Sequence, residues 1–441
     1  MEILEMSEST EKIIARFRNK EAQIAIVGLG YVGLPLAVAM AEAGFHTVGI
    51  DKNEKRIKSL RRGESLITDV DSTRLKEAIK SGKLTASLDF AGVKDSDAII
   101  ICVPTPLTRY REPDTSYIVE ATERIVPHLR KGQLVVLEST SYPGTTEELI
   151  KPRLEAQGFE IGKDIYLAFS PERIDPGNKL YTLQAIPKVV GGVTENCTKV
   201  AKALYEQIIH AGVYTVSSPK VAEMAKLLEN IFRNVNIALV NELAQLCDRM
   251  DIDIWEVIEA AKTKPYGFMP FYPGPGVGGH CIPVDPFYLS WKAREYDFRT
   301  HFIELAGEIN TNMPAFVVSK LARLLNRRQQ PLNGAKILLL GVAYKADIAD
   351  TRESPGLKLL SLLEREGAVV SYHDPYVPQV TLGGKRYESI TLTEEVLQAM
   401  DAVVLVTDHS VFDYNFITGH CKLLLDTRNA VKERKKNVYV L

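Results

Sequence analysis

The stretch with the most reactive side chain is a glycine-rich loop that holds a thiol. Residues 274–286 read GPGVGGHCIPVDP, and Asp285 follows Cys281 by four residues. Glycines have no Cβ, so the backbone N–H groups of such a loop can approach a bound ligand closely. A thiolate beside those donors is a potential covalent nucleophile. We therefore predict that Cys281 bonds to a substrate and that the Asp285 carboxylate lies within reach of it.

A second motif, near the N-terminus, is typical of dinucleotide-binding proteins. The apolar residues 23–27 predict a strand that runs into GLGYVG at residues 28–33 and then into a helix. Asp51 closes the next predicted strand, where a carboxylate binds the ribose hydroxyls of a dinucleotide. Because a carboxylate repels a 2′-phosphate, the motif predicts NAD rather than NADP, although Arg56 follows closely enough to weaken that preference.

The two motifs together predict an oxidation in two stages. An alcohol that loses one hydride becomes an aldehyde, whose flat carbon cannot lose a second hydride directly. Thiolate addition makes that carbon tetrahedral again and keeps the intermediate attached to the protein. Loss of the second hydride then leaves a thioester, which water can cleave to a carboxylate.

Four further polar residues could assist this chemistry, and each also has an ordinary structural interpretation. Lys226 and Asn230 are four residues apart in a helical pattern, so they share a face on which they either stabilise an oxyanion or are merely solvated. Glu172 lies in a proline-bounded loop after a predicted strand and is either a general base or a solvated carboxylate. Thr140 follows another predicted strand, where open α/β sheets bind their ligands.

The elements that must position these residues form an α/β pattern. Strands alternate with helices in the first half, which predicts a doubly wound parallel sheet. A helical pattern runs from Pro219 to Met250, and a second α/β segment begins near Lys336. We predict two Rossmann-like domains joined by a long central helix and a helical middle region. The expected domains are an NAD-binding domain at 1–215, a helical and dimerisation domain with the thiol loop at 216–326, and a substrate-binding domain at 327–441.

Composition excludes several classes of function. The chain has 441 residues and a formal net charge of -2, so no overall field attracts nucleic acid or an anionic membrane surface. Its five cysteines are odd in number and lack CxxC spacing, which argues against a disulfide framework and against a metal site. The first twenty residues lack the apolar core of a signal peptide, and we expect the protein in the cytoplasm.

With these residues in place, the chain resembles the nucleotide-diphospho-sugar 6-dehydrogenases, the family that includes UDP-glucose dehydrogenase. The resemblance runs from Ile24 to about Arg428 and implies that Cys281 is the nucleophile. It also implies that Lys226 and Asn230 steady the oxyanion, that Asp285 assists the thiol and water chemistry, and that Glu172 with Thr140 handles a proton or water. The implied NAD contacts are Gly28, Leu29, Gly30, Tyr31, Val32, Gly33, Asp51, Arg56, Val103, Pro104, Thr105, Thr140 and Arg352. The implied substrate contacts are Glu172, Arg173, Lys226, Asn230, Tyr272, Gly274, Gly276, Gly278, Lys345 and Arg428.

Departures from the UDP-glucose enzymes indicate a particular branch of this family. Those enzymes carry a lysine where Val284 stands and a glutamate near Pro176, and their arginine upstream of the glycine loop has no counterpart in residues 266–273. The segments SPERIDPGN and FYPGPGVGGHCIPVDP resemble instead the branch that oxidises UDP-N-acetylhexosamines for surface polysaccharides, in particular UDP-N-acetylglucosamine.

We therefore expect an NAD-dependent four-electron oxidation at C6 of a UDP-N-acetylhexosamine. UDP-glucose, or the galactosamine or mannosamine epimer, remains an alternative substrate. A two-electron hydroxyacid dehydrogenase and a catalytically silent NAD-binding protein remain alternative functions. Because a long apolar helix leaves a large face to bury, we also expect a homodimer or a higher homo-oligomer.

Overall fold

The chain folds into two compact units, which we describe from a computed structural model. The structure describes residues 2–65, 67, 70–108, 110–174, 181–279 and 281–441, with the side chains of residues 2–7 left aside. Unit 1 comprises Met1–Glu229 with Trp291–Tyr296, and unit 2 comprises Asn230–Ser290 with Asp297–Leu441. This division into two units does not test the three predicted domain ranges, which remain a prediction. No helix in the described ranges is long and apolar enough to cross a membrane.

Unit 1 is built on an eight-stranded sheet in the order β3-β2-β1-β4-β5-β6-β7-β8. Strands β4, β5 and β6 are buried at every residue, as expected for apolar runs that are covered on both faces. The strands are β1 (Gln23–Val27), β2 (His46–Ile50), β3 (Leu84–Ser87), β4 (Ala98–Ile101), β5 (Gln133–Leu137), β6 (Ile165–Phe169), β7 (Lys188–Gly192) and β8 (Val213–Val216). The helices are α1 (Glu2–Arg18), α2 (Gly33–Glu42), α3 (Glu54–Arg61), α4 (Ser72–Lys80), α5 (Ser116–Ile125), α6 (Lys151–Glu155) and α7 (Glu195–Tyr205).

The sheet of unit 1 departs from the predicted parallel order at one place. Strand β7 runs antiparallel to β6, with Ala168 opposite Gly192 and Phe169 opposite Gly191, whereas the other neighbouring strands are parallel. A helical crossover is needed only between parallel strands. Accordingly, no α-helix lies in the described residues between β6 and β7, which are 170–174 and 181–187.

Helix α8 (Pro219–Met250) spans the division between the units, and its bounds are those predicted. Its 32 residues make it about 48 Å long. Its buried face is unusually polar, since Glu223, Lys226, Asn230, Asn234 and Asn241 are all buried. Large apolar side chains lie on its exposed face instead. They are Val221, Met224, Leu228, Phe232, Leu239, Leu243, Leu246 and Met250.

Unit 2 contains the second predicted Rossmann-like sheet, in the parallel order β10-β9-β13-β14-β15. Two helices follow the glycine loop, one that ends at Ala293 and one that begins at His301. The helices are α9 (Ile254–Lys262), α10 (Asp285–Ala293), α11 (His301–Asn326), α12 (Pro355–Arg365), α13 (Glu394–Ala399) and α14 (Tyr414–His420). The strands are β9 (Lys336–Leu340), β10 (Val369–His373), β13 (Ala402–Leu405), β14 (Leu424–Asp426) and β15 (Val438–Val440), with a hairpin of β11 (Gln379–Leu382) and β12 (Lys385–Glu388). The predicted fold class is confirmed.

Candidate active site

The predicted dinucleotide turn joins β1 to α2 in unit 1. Gly28 has a φ of +95°, and a Cβ there would lie 2.5 Å from the Cys102 carbonyl oxygen. A Cβ on Gly33 would lie 1.8 Å from the Gly28 carbonyl oxygen, whereas a Cβ on Gly30 would meet no atom within 4 Å. No side chain caps the N-terminus of α2. Two glycines therefore close the turn tightly, while open space at Gly30 and uncapped helix N–H groups suit a diphosphate.

Asp51 lies directly after β2 and organises the adjoining loops. Its Oδ2 accepts hydrogen bonds from the Leu29 N–H at 2.9 Å and from Arg56 Nη1 at 2.7 Å. Its Oδ1 accepts from the Asn53 N–H at 2.8 Å. Arg56, whose charge could have attracted a 2′-phosphate, is therefore ion-paired to Asp51, whose carboxylate repels one. This pairing favours NAD.

A cavity of about 390 Å³ adjoins this turn, entirely within unit 1. The predicted residues that line it are Gly28, Asp51, Arg56, Val103 and Pro104, and the lining residues that the sequence did not indicate are Val27, Ile50, Lys52, Asn53, Phe90, Tyr117, Glu120, Ala121 and Arg124. The Arg124 guanidinium lies 4.2 Å from the centre of the Phe90 ring. Val27 and Ile50 end the strands β1 and β2, and the other side chains in this second group come from loops and from α5, which carry no local motif. The cavity, the carboxylate after β2 and the open turn fit the adenosine and diphosphate of NAD.

Glu172 lies in a buried charged cluster of unit 1. Its Oε1 accepts hydrogen bonds from the N–H groups of Arg173 and Ile174, at 2.6 and 2.8 Å, and its Oε2 lies 3.2 Å from Lys188 Nζ. Burial alone would raise the pKa of Glu172, but the Lys188 ammonium and the two N–H groups outweigh burial and lower it. Arg173 Nη2 lies 2.8 Å from Glu229 Oε1, and its Nη1 donates to the Pro187 carbonyl at 2.7 Å. Glu172 is thus an ionised and firmly held carboxylate, and the adjoining loop is held by Arg173.

A second buried carboxylate, which the sequence did not indicate, ties the Thr140 segment to α8. Glu223 Oε2 accepts a hydrogen bond from the Gly144 N–H at 2.5 Å. Its Oε1 accepts from both the N–H and the Oγ1 of Thr146, at 2.9 and 2.7 Å. Burial raises the pKa of Glu223 to about 7 in spite of these bonds. Thr140 itself is half-buried and lies four residues before Gly144.

Lys226 lies three residues after Glu223 on α8 and is only 8% exposed. Within the described ranges its ammonium makes no hydrogen bond and no ion pair. Burying an ammonium without a partner is costly, so such a group indicates that a ligand supplies the opposite charge. This environment suits the predicted contact with a developing oxyanion.

The thiol loop lies in unit 2, together with Asn230 and Asp285. Asn230 Nδ2 donates to Asp285 Oδ2 at 2.5 Å, and the Asp285 N–H donates to the Cys281 carbonyl at 2.8 Å. Helix α10 begins at Asp285, so the half-buried Cys281 lies just before a helix N-terminus. The positive end of a helix stabilises a nearby anion such as a thiolate. The structure therefore brings Asn230 and Asp285 into contact beside the loop that carries the thiol.

An asparagine ladder, not indicated by the sequence, fixes the start of this loop. The Gly274 N–H donates to Asn241 Oδ1 at 2.9 Å, and Asn241 Nδ2 donates to Asn310 Oδ1 at 2.9 Å. Asn310 Nδ2 in turn donates to Asn234 Oδ1 at 2.8 Å. Because Asn234 and Asn241 are on α8 and Asn310 is on α11, two helices hold the glycine loop in place.

The C-terminal half of the loop packs against the second Rossmann-like domain of unit 2. The Gly279 N–H donates to the Arg352 carbonyl at 3.0 Å, and a Cβ on Gly278 would lie 2.7 Å from the Tyr344 Cβ. A Cβ on Gly274 would lie 2.8 Å from Arg428 Nη1. Of the predicted substrate residues, Gly274 and Gly278 are therefore part of this loop, and Arg428 lies next to Gly274.

The remaining predicted residues are placed as follows. Tyr272 stacks on Trp255 with ring centres 5.9 Å apart and donates a hydrogen bond to Glu259 at 2.7 Å. Arg352, predicted to contact NAD, lies in unit 2 and pairs with Asp350, and Lys345 is half-buried on the same loop. His280, which the sequence indicated as an ordinary loop residue, and Pro176, a departure from the UDP-glucose enzymes, lie outside the described residues.

Comparisons with known proteins match all three parts of the chain to one family. Sequence models of the UDP-glucose/GDP-mannose dehydrogenase family match residues 22–209 as its NAD binding domain, 220–312 as its central domain and 338–433 as its UDP binding domain. The chain is 39% identical over 394 residues to the UDP-N-acetyl-D-glucosamine 6-dehydrogenase of Pseudomonas aeruginosa, which is 89% of this chain and 92% of that protein. It is 37% identical over 423 residues to the UDP-N-acetyl-D-mannosamine dehydrogenase of Methanococcus maripaludis, which is 93% of each.

Solved structures agree with these matches. The UDP-D-ManNAc dehydrogenase of Pyrococcus horikoshii superposes with a TM-score of 0.87 at 35% identity, covering 95% of this chain and 98% of that one. The resemblance that the motifs indicated is therefore confirmed, and so is NAD as the cofactor. The chain belongs to the UDP-glucose/GDP-mannose dehydrogenase family and is an NAD-dependent UDP-sugar dehydrogenase.

Proposed function

We propose that the protein oxidises the C6 hydroxyl of a UDP-N-acetylhexosamine to the carboxylate, in two steps that share one thiol. The observation that carries this proposal is the Cys281 loop, with its asparagine anchor and the Asn230–Asp285 contact beside it. An ordinary alcohol dehydrogenase needs no nucleophile of this kind. The surroundings of the thiol therefore support a reaction that passes through a covalent intermediate.

The side chains have distinct roles in the proposed reaction. When bound, NAD⁺ accepts each hydride, so one sugar, two NAD⁺ and one water give one uronate, two NADH and three protons. The Lys226 ammonium stabilises the alkoxide and later the oxyanion, and Asn230 adds an amide donor. Cys281 adds to the aldehyde carbon to form a thiohemiacetal, which becomes a thioester when the second hydride leaves. Asp285 assists proton transfer at the thiol, while Glu172 and Thr140 position the water that cleaves the thioester.

The sugar is the finer part of the proposal. Val284 stands where the UDP-glucose enzymes carry a lysine, and the relatives described above are named for UDP-N-acetylglucosamine and UDP-N-acetylmannosamine. We propose UDP-N-acetylglucosamine as the preferred substrate and the oxidised sugar as a precursor of a surface polysaccharide. The mannosamine and galactosamine epimers are the competing candidates, followed by UDP-glucose.

Counting NADH against sugar tests this function. With limiting UDP-N-acetylglucosamine and excess NAD, we expect two NADH for each sugar consumed, and mass spectrometry should find the uronic acid. The same assay with the mannosamine epimer, the galactosamine epimer and UDP-glucose ranks the four by kcat/KM. One NADH per sugar would contradict the thiol mechanism, and a higher kcat/KM for UDP-glucose would overturn the choice of an N-acetylhexosamine.

We also propose that the exposed face of α8 binds the same face of a second copy. Its eight large apolar side chains are spaced three, four or seven residues apart along the helix, and each is at least 39% exposed. Solvent-exposed apolar stripes of this length are rare on monomers. A helix face can pair with itself around a twofold axis, which makes a homodimer the simplest assembly.

Introducing two negative charges into this stripe should dissociate the dimer into monomers. We expect the wild-type protein to sediment as a dimer and the double variant Leu239→Glu with Leu246→Glu to sediment as a monomer at micromolar concentration. Ala399→Glu, on an exposed position of α13, adds a charge away from the stripe and should leave the dimer intact. A wild-type monomer, or a dimer that tolerates both glutamates, would exclude this interface.

A further inference from the structure

The buried cluster around Lys188 contains more charge than the proposed mechanism uses. Lys188 Nζ lies 3.1 Å from Glu138 Oε2 and 3.2 Å from Glu172 Oε2. The exposed side-chain fractions of Lys188, Glu138 and Glu172 are 3%, 0% and 10%. The Tyr205 hydroxyl donates to the other oxygen of Glu138 at 2.5 Å. Two carboxylates thus share one ammonium, and the Tyr205 hydroxyl satisfies the carboxylate farther from solvent.

The fold places this cluster at the edge of the sheet where ligands bind. Glu138 follows β5 directly, and Glu172 lies three residues after β6. The antiparallel register of β6 and β7, continued past Phe169 and Gly191, puts Glu172 opposite Lys188. The carboxyl ends of parallel strands are where open α/β sheets bind cofactor and substrate. The one antiparallel pair of the sheet therefore brings a lysine to this edge.

Stability alone is a weak reason for such a cluster. Removing an ion from water costs several kcal/mol even after relaxation, and apolar side chains of similar volume are often as stabilising as a buried ion pair. Buried charges that hold one another in place are more useful for fixing a reactive group. The Glu172 carboxylate is the member of the cluster that retains some exposure, so it is the member that can meet a ligand.

Lys188 is the cation that faces Glu172 in this cluster. Among the residues that the structure describes, the other titratable neighbours are Cys102, directly after β4, Tyr205 on α7, and Glu138. Burial raises the pKa of both Cys102 and Tyr205 well above the ordinary values, so both are neutral at neutral pH. Burial also raises the pKa of Glu138, while Lys188 and Tyr205 oppose this effect. On the loop itself, Arg173 is paired with Glu229.

We propose that Lys188 is a positioning residue, which holds the Glu172 carboxylate ionised and fixed at the ligand-binding edge while Glu138 and Tyr205 hold Lys188. The inference rests on the proposed function, in which Glu172 orders the water that cleaves the thioester. A carboxylate held in this way can accept a hydrogen bond from water or substrate over the whole working pH range. Without the ammonium, Glu172 would keep its two backbone N–H donors but would face the buried Glu138 carboxylate, which favours the protonated form of Glu172.

The decisive measurement is the pH profile of Lys188→Met, a change that keeps the length of the side chain and removes its charge. We expect kcat at neutral pH to fall about 10²-fold, with a new loss of activity as the pH is lowered from 8 to 5, because protonated Glu172 has lost the negative charge with which it orders the water. Lys188→Arg keeps the charge and should show no such loss at low pH. Lys199→Met, on the exposed face of α7, is the matched control and should behave like the wild type.

Unfolding by urea at pH 5 and pH 8 gives a readout that needs no activity. If Lys188→Met raises the pKa of Glu172 above its unfolded value, the folded state loses stability as pH rises, so the variant should be more destabilised at pH 8 than at pH 5. Where Lys188→Met fails to fold, the double variant Glu138→Gln with Lys188→Met leaves Glu172 as the one carboxylate of this cluster and should show the same two dependences on pH.

The outcomes separate this inference from the proposed function. A wild-type protein that produces no NADH from any UDP-sugar defeats the proposed function, while the unfolding comparison still decides whether Lys188 holds the charge of Glu172. If the wild type is active and the folded variant has an unchanged pH profile with equal destabilisation at both pH values, the positioning role of Lys188 is wrong.

Discussion

Cys281→Ala should abolish formation of the uronic acid and lower steady-state NADH production at least about 10³-fold. The variant retains the dinucleotide turn and the cavity of unit 1, so its affinity for NAD should be unchanged. The first hydride can still leave an alcohol without the thiol. The second cannot, because the aldehyde carbon is no longer made tetrahedral. Rapid mixing should therefore detect at most one NADH per enzyme-bound sugar, followed by a stall.

The control and the contradicting outcome of this experiment are both clear. Cys247→Ala removes another thiol from unit 2, one that packs beside Ala244 and Trp255 in a small apolar cluster. It should cost some stability and keep the activity within a few-fold. If Cys281→Ala instead keeps turning over with one NADH per sugar, the enzyme is a two-electron dehydrogenase. If wild type and variant both release two NADH per sugar, the thiol is not the nucleophile.

Local motifs made the cofactor end of the protein predictable from the sequence. The GLGYVG turn and Asp51 are linked by short-range geometry, since a tight turn, a helix start and a strand end must follow one another in the chain. The strands before Thr140 and Glu172, β5 and β6, were also predicted, because a continuous apolar run bounded by polar residues is typical of a fully buried strand.

The residues that support the site could not be predicted in the same way. Lys188 meets Glu172 only because β7 runs antiparallel to β6, and strand direction is set by the packing of the whole sheet. Asn310 reaches Asn241 across 69 residues of sequence. The apolar pattern of α8 predicted a helix with the correct bounds, but periodicity alone does not say whether an apolar face meets the protein's own core or another chain. The structure shows that the polar face of α8 is buried and that its large apolar side chains are exposed.

Lys226→Met should change activity and stability in opposite directions. The Lys226 residue is only 8% exposed, and within the described ranges its ammonium has no partner in the chain. A buried cation of this kind costs stability, and a methionine of similar length removes that cost. We expect kcat to fall about 10² to 10³-fold, as when one donor to an oxyanion is lost, and the midpoint of thermal unfolding to rise by roughly 1–3 °C.

The combination of these two effects distinguishes a catalytic role from a structural one. Lys220→Met is the matched control, because Lys220 is an exposed lysine on the same helix whose Nζ lies 3.4 Å from Glu147. It should leave kcat within about twofold and lower stability slightly, if at all. A structural Lys226 would give the reverse pattern, with lower stability and nearly normal kcat per folded molecule. Thermal unfolding and kcat, measured on the same preparations, decide between the catalytic and the structural role of Lys226. A buried charge that lowers stability but raises kcat is explained by the reaction and not by the fold.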